Sequence, residues 1–111
     1  MINVHTKIRY VIKGAIRGAF RSKNKVKIGL TLDILGCSII EFKAHLEAQF
    51  EPWMDWDNRG LYNGECDYGW DIDHIIPLST AITEEDIMRL NHYTNLQPLC
   101  SYVNRYVKGS N

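Results

Sequence analysis

The amino-acid sequence predicts a single domain of the α+β class, in which helices precede a small C-terminal unit of two strands and a helix. The chain has 111 residues, about the size of one domain. Apolar residues make up 45% and charged residues 23%, as in ordinary globular proteins. The hydrophobic pattern has the helical period in the first half and changes to short strand-like runs near the C-terminus.

The N-terminal segment is predicted to be an amphipathic helix. Apolar side chains recur from Val4 to Phe20 at steps of three and four residues. Gly14 and Gly18 lower the stability of this helix by ~1 kcal/mol each relative to alanine. We therefore expect it to depend on packing or on a partner.

Two further helices are predicted in the first half of the chain. A short helix over about residues 31–35 should end at Gly36, because glycine commonly terminates helices. Ser38 stands three residues before Glu41, the spacing of a capping box, and should open a longer helix through Phe50. The expected buried face consists of Ile39, Phe42, Leu46 and Phe50.

Residues 51–70 are rich in aromatic, glycine and acidic residues and have no regular periodicity, which predicts an irregular but structured loop. Trp53, Trp56 and Trp70 are too large and apolar for a solvated linker, so we expect them to cover the core. His45, in the preceding helix, is expected at the surface.

The C-terminal part of the chain predicts a strand, a long connection, a second strand and a helix. The first strand lies within residues 70–79, and a brief helix should begin at Thr83. Residues 96–99 form the second strand. Ser101 is the expected N-cap of a final helix that reaches about Lys108.

The net charge of zero conceals a strong asymmetry. Eight of the 13 basic residues lie within residues 1–27, which contain no acidic residue, so residues 28–111 hold five basic and 13 acidic side chains. Such a distribution is compatible with binding to a polyanion. No apolar run reaches the ~18–20 residues that span a bilayer, and the N-terminus lacks the apolar region of a secretory signal, so we expect no membrane partner.

The cysteines, Cys37, Cys66 and Cys100, are widely separated, and none belongs to a CxxC pair. An odd number without paired spacing predicts free thiols in a reducing compartment. It predicts neither a disulfide framework nor a four-ligand zinc site.

Four polar residues of the C-terminal unit carry the candidate chemistry. Asp73 and His74 end the first strand, Asn95 begins the second and Asn104 lies in the final helix, so a hairpin crossed by a helix can bring them together. A carboxylate and an amide oxygen suit Mg²⁺ or Mn²⁺, and a neutral histidine beside the ion can take a proton from water. Together these are the parts of a one-metal phosphodiester hydrolase.

The segments IDHIIP and NLQPLCSYVNR resemble the motif of the HNH endonucleases, and a likeness to the small HNH endonucleases of bacteriophages covers about residues 28–109. The resemblance implies a ββα-metal module over residues 70–109, supported by helices and the aromatic loop over 28–69. The charge of residues 1–27 predicts a basic, DNA-contacting helix or arm before them. The resemblance further implies a metal-dependent DNA endonuclease that nicks or cleaves double-stranded DNA, in homing or in genome packaging.

The resemblance also assigns roles to the four residues. His74 matches the general base, and Asp73 matches the metal-ligating residue before it. Asn95 matches the residue that supports the hairpin and orients the base, and Asn104 takes the third position, which completes the metal site. One divalent ion, Mg²⁺ or Mn²⁺, is implied, without structural zinc because the CxxC pairs of the zinc-stabilised members are missing.

Other charged residues supplement this set. Asp71 departs from the family pattern and, on the same strand face as Asp73, is either an auxiliary ligand or a surface acid. A phosphodiester substrate needs cationic contacts. The residues expected to supply them are Arg17, Arg21, Lys23, Lys25 and Arg105.

Two alternatives remain beside the endonuclease. One is a non-catalytic DNA-binding or packaging accessory that keeps the fold, and the other is an HNH-type RNase or toxin nuclease. The presence of all four motif residues favours an enzyme. The expected partner is double-stranded DNA, with a homodimer or a phage packaging partner left open, and the expected location is the cytoplasm of an infected bacterial host.

Overall fold

The computed structural model describes residues 3–27 and 29–108, which form helices and a small antiparallel sheet. This mixture agrees with the predicted α+β class. Within the described residues, no helix is both long and apolar enough to cross a membrane. The elements, in chain order, are α1 (Val4–Ser22), α2 (Thr31–Leu35), α3 (Ile39–Glu47), β1 (Trp70–His74), α4 (Glu84–Leu90), β2 (Leu96–Cys100) and a C-terminal π-helix (Val103–Val107).

Helix α1 begins at Asn3, whose side-chain oxygen accepts a hydrogen bond from the Thr6 N–H at 3.0 Å. One face of the helix is buried against the rest of the protein, which confirms the predicted amphipathic helix. Gly14 and Gly18 lie on the exposed face. The buried face consists of Ile8, Ile12, Ile16, Ala19 and Phe20.

Helices α2 and α3 also begin and end largely where the sequence predicts. Gly36 follows α2 with a φ of 81°, a left-handed conformation that glycine adopts without a steric penalty. Ser38 and Glu41 form both hydrogen bonds of the predicted capping box. The helix ends at Glu47 rather than Phe50, and the Phe50 ring instead packs against Trp70 with centroids 5.0 Å apart.

His45 is not the surface residue that the sequence predicts. Its side chain is half-buried, and its Nε2 lies 2.9 Å from the carbonyl oxygen of Leu96 in β2. Its ring also packs edge-on against Tyr93, with centroids 5.2 Å apart. The histidine therefore ties α3 to the sheet, a long-range contact that helical periodicity cannot predict.

The aromatic loop over residues 51–69 is irregular but ordered by its indoles, as predicted. Trp70 is fully buried and donates from its indole N–H to the Asp55 carbonyl at 2.7 Å. Trp56 donates to the Glu47 carboxylate, also at 2.7 Å. These hydrogen bonds satisfy the polar atoms of rings that are otherwise apolar, so the loop can cover the core.

The cysteines contradict the expectation of free thiols. Cys66 of the aromatic loop and Cys100 at the end of β2 form a disulfide, with their Cα atoms 5.5 Å apart, whereas Cys37 is free. Cys100 pairs with Trp70 across the sheet, which brings it close to the loop that precedes β1. The pairing arises from tertiary folding across 34 residues, so cysteine spacing did not reveal it, and the argument for a reducing compartment no longer holds.

Candidate functional site

The antiparallel pair β1–β2 and the C-terminal helix frame the candidate site. Asp73 pairs with Gln97 across the sheet, and the side-chain amide of Gln97 donates to Oδ2 of Asp73 at 2.8 Å. The same oxygen accepts from Nζ of Lys108 at 2.7 Å. Asp73 is fully buried, and a buried carboxylate requires such compensation because it has lost its hydration.

Lys108 joins the end of the chain's last helix to the strand that carries the predicted catalytic residues. Besides its ion pair with Asp73, the ammonium donates to the backbone carbonyl of His74 at 3.1 Å. Sequence analysis gave Lys108 no role. Its position four residues after Asn104, on one side of the final helix, is the signal that could have identified it.

The ring of His74 is held by a buried amide. Its Nε2 lies 2.9 Å from Oδ1 of Asn91, a residue only 1% exposed. The amide nitrogen of Asn91 donates to the Ile87 carbonyl at 2.8 Å, so its oxygen must face the ring. An amide oxygen only accepts, so Nε2 donates to it, and in a neutral imidazole the lone pair is then on Nδ1.

Asn95 connects the turn after β1 to the end of α4. Its side-chain oxygen accepts from the Ile76 N–H at 2.8 Å, while its amide donates to the Leu90 carbonyl at 2.8 Å and to the Ile76 carbonyl at 3.2 Å. Its own backbone carbonyl accepts from the Ile75 N–H at 2.9 Å. These contacts hold the backbone immediately after His74.

Asp71 is not a surface acid. The carboxylate is half-buried and accepts two hydrogen bonds from Arg105, each 2.9 Å long, one from Asn104 at 2.9 Å and one from Ser101 at 3.2 Å. Burial would raise the pKa of Asp71, but the hydrogen bonds and charge of Arg105, with those from Asn104 and Ser101, lower it below its ordinary value. Ser101 therefore bonds to β1 rather than capping the final helix as predicted.

Asn104 lies in the π-wound segment, a rare geometry that is frequent at functional sites. Its Oδ1 is buried and has no hydrogen-bond partner among the residues that the structure describes. A buried oxygen without a donor is uncommon and leaves a lone pair for another ligand. A carboxylate and an amide oxygen without a donor, as in Asp73 and Asn104, are ligands of the type that Mg²⁺ and Mn²⁺ prefer.

This donor set is small. Across residues 3–27 and 29–108, no three His, Cys, Asp or Glu side chains are grouped so that they could hold a metal ion. An ion held by Asp73 and Asn104 would take its remaining ligands from water and substrate, as Mg²⁺ usually does.

Four of the residues predicted to contact DNA lie on or just beyond α1, in a basic surface that we call the ridge: Arg17, Arg21, Lys23 and Lys25. On the exposed side of α1, cations recur every four residues. Just beyond the helix, Lys23 donates to the Ser79 carbonyl at 3.2 Å. This contact brings the C-terminal end of the ridge next to the segment that follows β1. An open cavity of about 400 Å³ lies at the same end, lined by Arg17, Arg21, Lys25, Val26 and Lys27. The helical cations of the ridge are Arg9, Lys13, Arg17 and Arg21.

Arg105 lies apart from this ridge. Its guanidinium bonds to Asp71 and to the Gly60 carbonyl at 3.1 Å, so it links the final helix to β1 and to the aromatic loop. Its predicted contact with a phosphate therefore has to coexist with an internal ion pair.

The sequence singled out Asp73, His74, Asn95 and Asn104 as candidates but did not indicate the side chains that hold Asp73 and His74. Gln97, Asn91 and Lys108 lie within hydrogen-bonding distance of the predicted residues. Gln97 could have been found from strand pairing, since a residue that faces a buried acid needs a donor. Asn91 had no comparable signal, because an asparagine after a helix ordinarily serves as a cap.

Comparison with known proteins places few constraints on this site. No protein-family model matches the chain, and no solved structure matches it significantly. The chain is 35% identical over 69 residues to the uncharacterized protein L426 of Acanthamoeba polyphaga mimivirus. The match covers 60% of this chain but only 27% of the mimivirus protein, so the chain corresponds to about a quarter of that relative.

Proposed function

We propose that the chain is a metal-dependent DNA endonuclease of the HNH type, with a ββα-metal module over residues 70–109. The observation that carries the proposal is the hydrogen bond between Nε2 of His74 and the buried side chain of Asn91. This bond holds the Nε2–H of the histidine and leaves Nδ1 as a base, one residue from a buried carboxylate. A histidine fixed through one nitrogen and basic at the other is what water activation near neutral pH requires.

Asp73 and Asn104 are the residues that would hold a divalent ion, Mg²⁺ or Mn²⁺. When bound there, such an ion polarises a phosphoryl oxygen and neutralises charge on the departing oxygen. Lys108, beside Asp73, holds the buried carboxylate in place. Arg105 and Asn104 hold Asp71, which sets the distance between the final helix and β1.

The chain's own residues supply the proton transfer. Nδ1 of His74 takes a proton from water as the oxygen attacks phosphorus, and the bond to the 3′-oxygen breaks. The 3′-oxygen then takes a proton from a solvent water, so the products carry a 5′-phosphate and a 3′-hydroxyl. Asn91 keeps the ring in one tautomer throughout. Asn95 holds the backbone after the histidine, so its role is positioning.

The ridge on α1 supports a double-stranded DNA substrate. Its cations are exposed and spaced by one helical turn, so they can neutralise successive phosphates of a backbone that passes along the helix. The contact between Lys23 and Ser79 joins this surface to the turn after β1. We propose that the protein acts in homing or in genome packaging.

One observation favours a second candidate, a DNA-binding accessory without activity. The ammonium of Lys108 already neutralises Asp73, so the site is electrostatically satisfied without an ion. Activity distinguishes the two candidates, because an accessory needs only the cationic ridge. An RNase of the same type would share the site and is distinguished by its substrate.

The test is nicking of supercoiled plasmid with Mg²⁺ or Mn²⁺ by the wild type, by His74→Ala and by a matched His5→Ala control. His5 is an exposed residue of α1 outside the site. Loss of a general base should slow cleavage by about 10²-fold or more, while His5→Ala should cut like the wild type. Equal cutting by His74→Ala would overturn the role of His74. If the wild type cuts plasmid with neither metal, the DNA endonuclease is rejected. The protein is then the non-catalytic accessory, or the RNase if it degrades an RNA substrate.

A further inference from the structure

Three tyrosine rings form a ladder on the protein surface. Tyr62 of the aromatic loop lies 5.2 Å from Tyr106, and Tyr102 lies 5.9 Å from Tyr106, measured between ring centroids. The planes of each pair are inclined by only 34° and 35°. Tyr62 is 36% exposed, Tyr102 is 41% exposed and Tyr106 is 64% exposed. The ladder therefore presents ring faces and edges to solvent and is not part of the core.

The ladder is held in place by polar contacts at its base. The guanidinium of Arg105 lies 5.7 Å from the centroid of the Tyr62 ring and is itself anchored by Asp71 and by the Gly60 carbonyl. The Cys66–Cys100 disulfide fastens the same loop to β2. Rings that are already ordered lose little conformational entropy when a ligand binds.

The ladder adjoins the proposed cleavage site. Asn104, which would hold the metal ion, lies between Tyr102 and Tyr106 in sequence, about half a helical turn from each. The carboxylate of Asp71 bonds to both Asn104 and Arg105, so one carboxylate connects the ladder to the candidate metal ligands. Tyr62 is therefore linked, through Arg105 and Asp71, to the residue that would hold the ion.

Nucleobases are suitable occupants for such a surface. Stacking of a base on an aromatic ring contributes ~1–3 kcal/mol and tolerates any sequence, because every base has a flat π-face. The bases of a duplex are already stacked on one another and cannot present those faces. A protein partner would not account for the contact of the ladder with residues around the proposed phosphate site.

We infer that the tyrosine ladder stacks the bases of an unpaired DNA strand beside the cleaved phosphate, so that the substrate includes a single-stranded region or a junction. The inference rests on the proposed endonuclease function and specifies its substrate. The cationic ridge on α1 would hold the duplex part of the same molecule, while the ladder would hold the unpaired part.

The test measures binding of a short fluorescent oligothymidylate by anisotropy at fixed salt concentration. Replacing Tyr62, Tyr102 and Tyr106 together with leucine removes the rings and keeps apolar bulk, whereas replacing them with phenylalanine keeps the rings. We expect the leucine variant to bind at least tenfold more weakly and the phenylalanine variant to bind within about twofold of the wild type. Tyr68→Leu is the matched control, a 44% exposed tyrosine of the same loop outside the ladder.

Folding of each variant is checked by tryptophan fluorescence. If the triple leucine variant does not fold, the single variant Tyr106→Leu serves, because that side chain is the most exposed of the three. It should weaken oligonucleotide binding several-fold. Wild-type affinity in the folded leucine variant, or equal losses with leucine and phenylalanine, would overturn the inference, as would failure of the wild type to bind the oligothymidylate.

Plasmid nicking, measured in parallel, separates this inference from the proposed function. A wild type that nicks plasmid and a leucine variant that binds the oligonucleotide normally would refute the ladder alone. A wild type that binds through the rings but cuts nothing with either metal would refute the endonuclease and retain the stacking surface.

Discussion

Replacing Asn95 with alanine should destabilise the protein and disorder the turn that follows His74. The substitution removes three side-chain hydrogen bonds, two to the backbone of Ile76 and one to the carbonyl of Leu90. It leaves the pairing of β1 and β2 in place, because none of these three bonds is one of the backbone hydrogen bonds between the two strands. The perturbation is therefore confined to the turn and to the end of α4.

The magnitude follows from where the three bonds lie. A typical intramolecular hydrogen bond contributes about 0.5–1.5 kcal/mol net, and a buried acceptor left without a donor costs about 1–3 kcal/mol. Ile76 is 50% exposed, so water can replace both of its bonds, whereas Leu90 is only 1% exposed and its carbonyl is not readily hydrated. We expect a loss of about 2–3 kcal/mol in the free energy of unfolding, or roughly 8–12 °C in Tm for a domain of this size.

The assay is urea denaturation followed by tryptophan fluorescence, since the buried Trp70 reports on the core. Asn63→Ala is a suitable control because its side chain accepts one exposed hydrogen bond, from the Glu65 N–H at 3.0 Å. We expect that control to shift the denaturation midpoint little. If Asn95→Ala unfolds at the same urea concentration as the wild type, the assignment of Asn95 as the support of this turn is refuted.

Two further predictions concern charge. Replacing the ridge cations Arg17, Arg21, Lys23 and Lys25 with alanine should make DNA affinity less dependent on salt concentration, because the log–log slope falls by about 0.9 for each phosphate that is no longer neutralised. Lys43→Ala, which removes a cation paired with Glu47, should leave that slope unchanged. A salt titration in which the quadruple variant keeps the wild-type slope would reject the ridge as the DNA-binding surface. Hydrogen bonds from the backbone N–H groups of Ile82 and Thr83 and from the side chain of Arg89 lower the pKa of Asp86 from 3.8 to about 2. The stabilisation from its ionised form should therefore be complete above pH 3.8 and be lost as the pH falls through 2. Asp86→Asn should therefore be less stable than the wild type at pH 5 and approach it near pH 2 in urea titrations, and a difference independent of pH would contradict this.

Local features of the fold were predictable from the sequence wherever neighbouring residues decide them. The capping pair Ser38 and Glu41 marked the start of α3, and Gly36 marked the end of α2, because each acts through backbone atoms within one turn. The end of α3 was less predictable. Phe50 continues the apolar period of the helix, yet packing against Trp70 draws it into the aromatic loop.

The candidate site divides in the same way. The sequence alone was enough to propose four candidate residues, because the strands and helix that carry them follow one another along the chain. These residues are Asp73, His74, Asn95 and Asn104. Their partners could not be proposed in this way. Whether a carboxylate is neutralised by Lys108 or by an ion depends on atoms that meet only after folding.

The sequence by itself determined the helices, the two short strands, the segregation of basic charge into the N-terminal segment and the four motif residues, because periodicity, capping and composition are local properties. Only the tertiary structure decided which nitrogen of His74 carries the proton, that Asp71 is paired with Arg105, that Cys66 bonds to Cys100 and that three tyrosines share one surface. Each of these depends on distances between residues far apart in the chain. Such distances are set by how the final helix and the aromatic loop pack on the sheet.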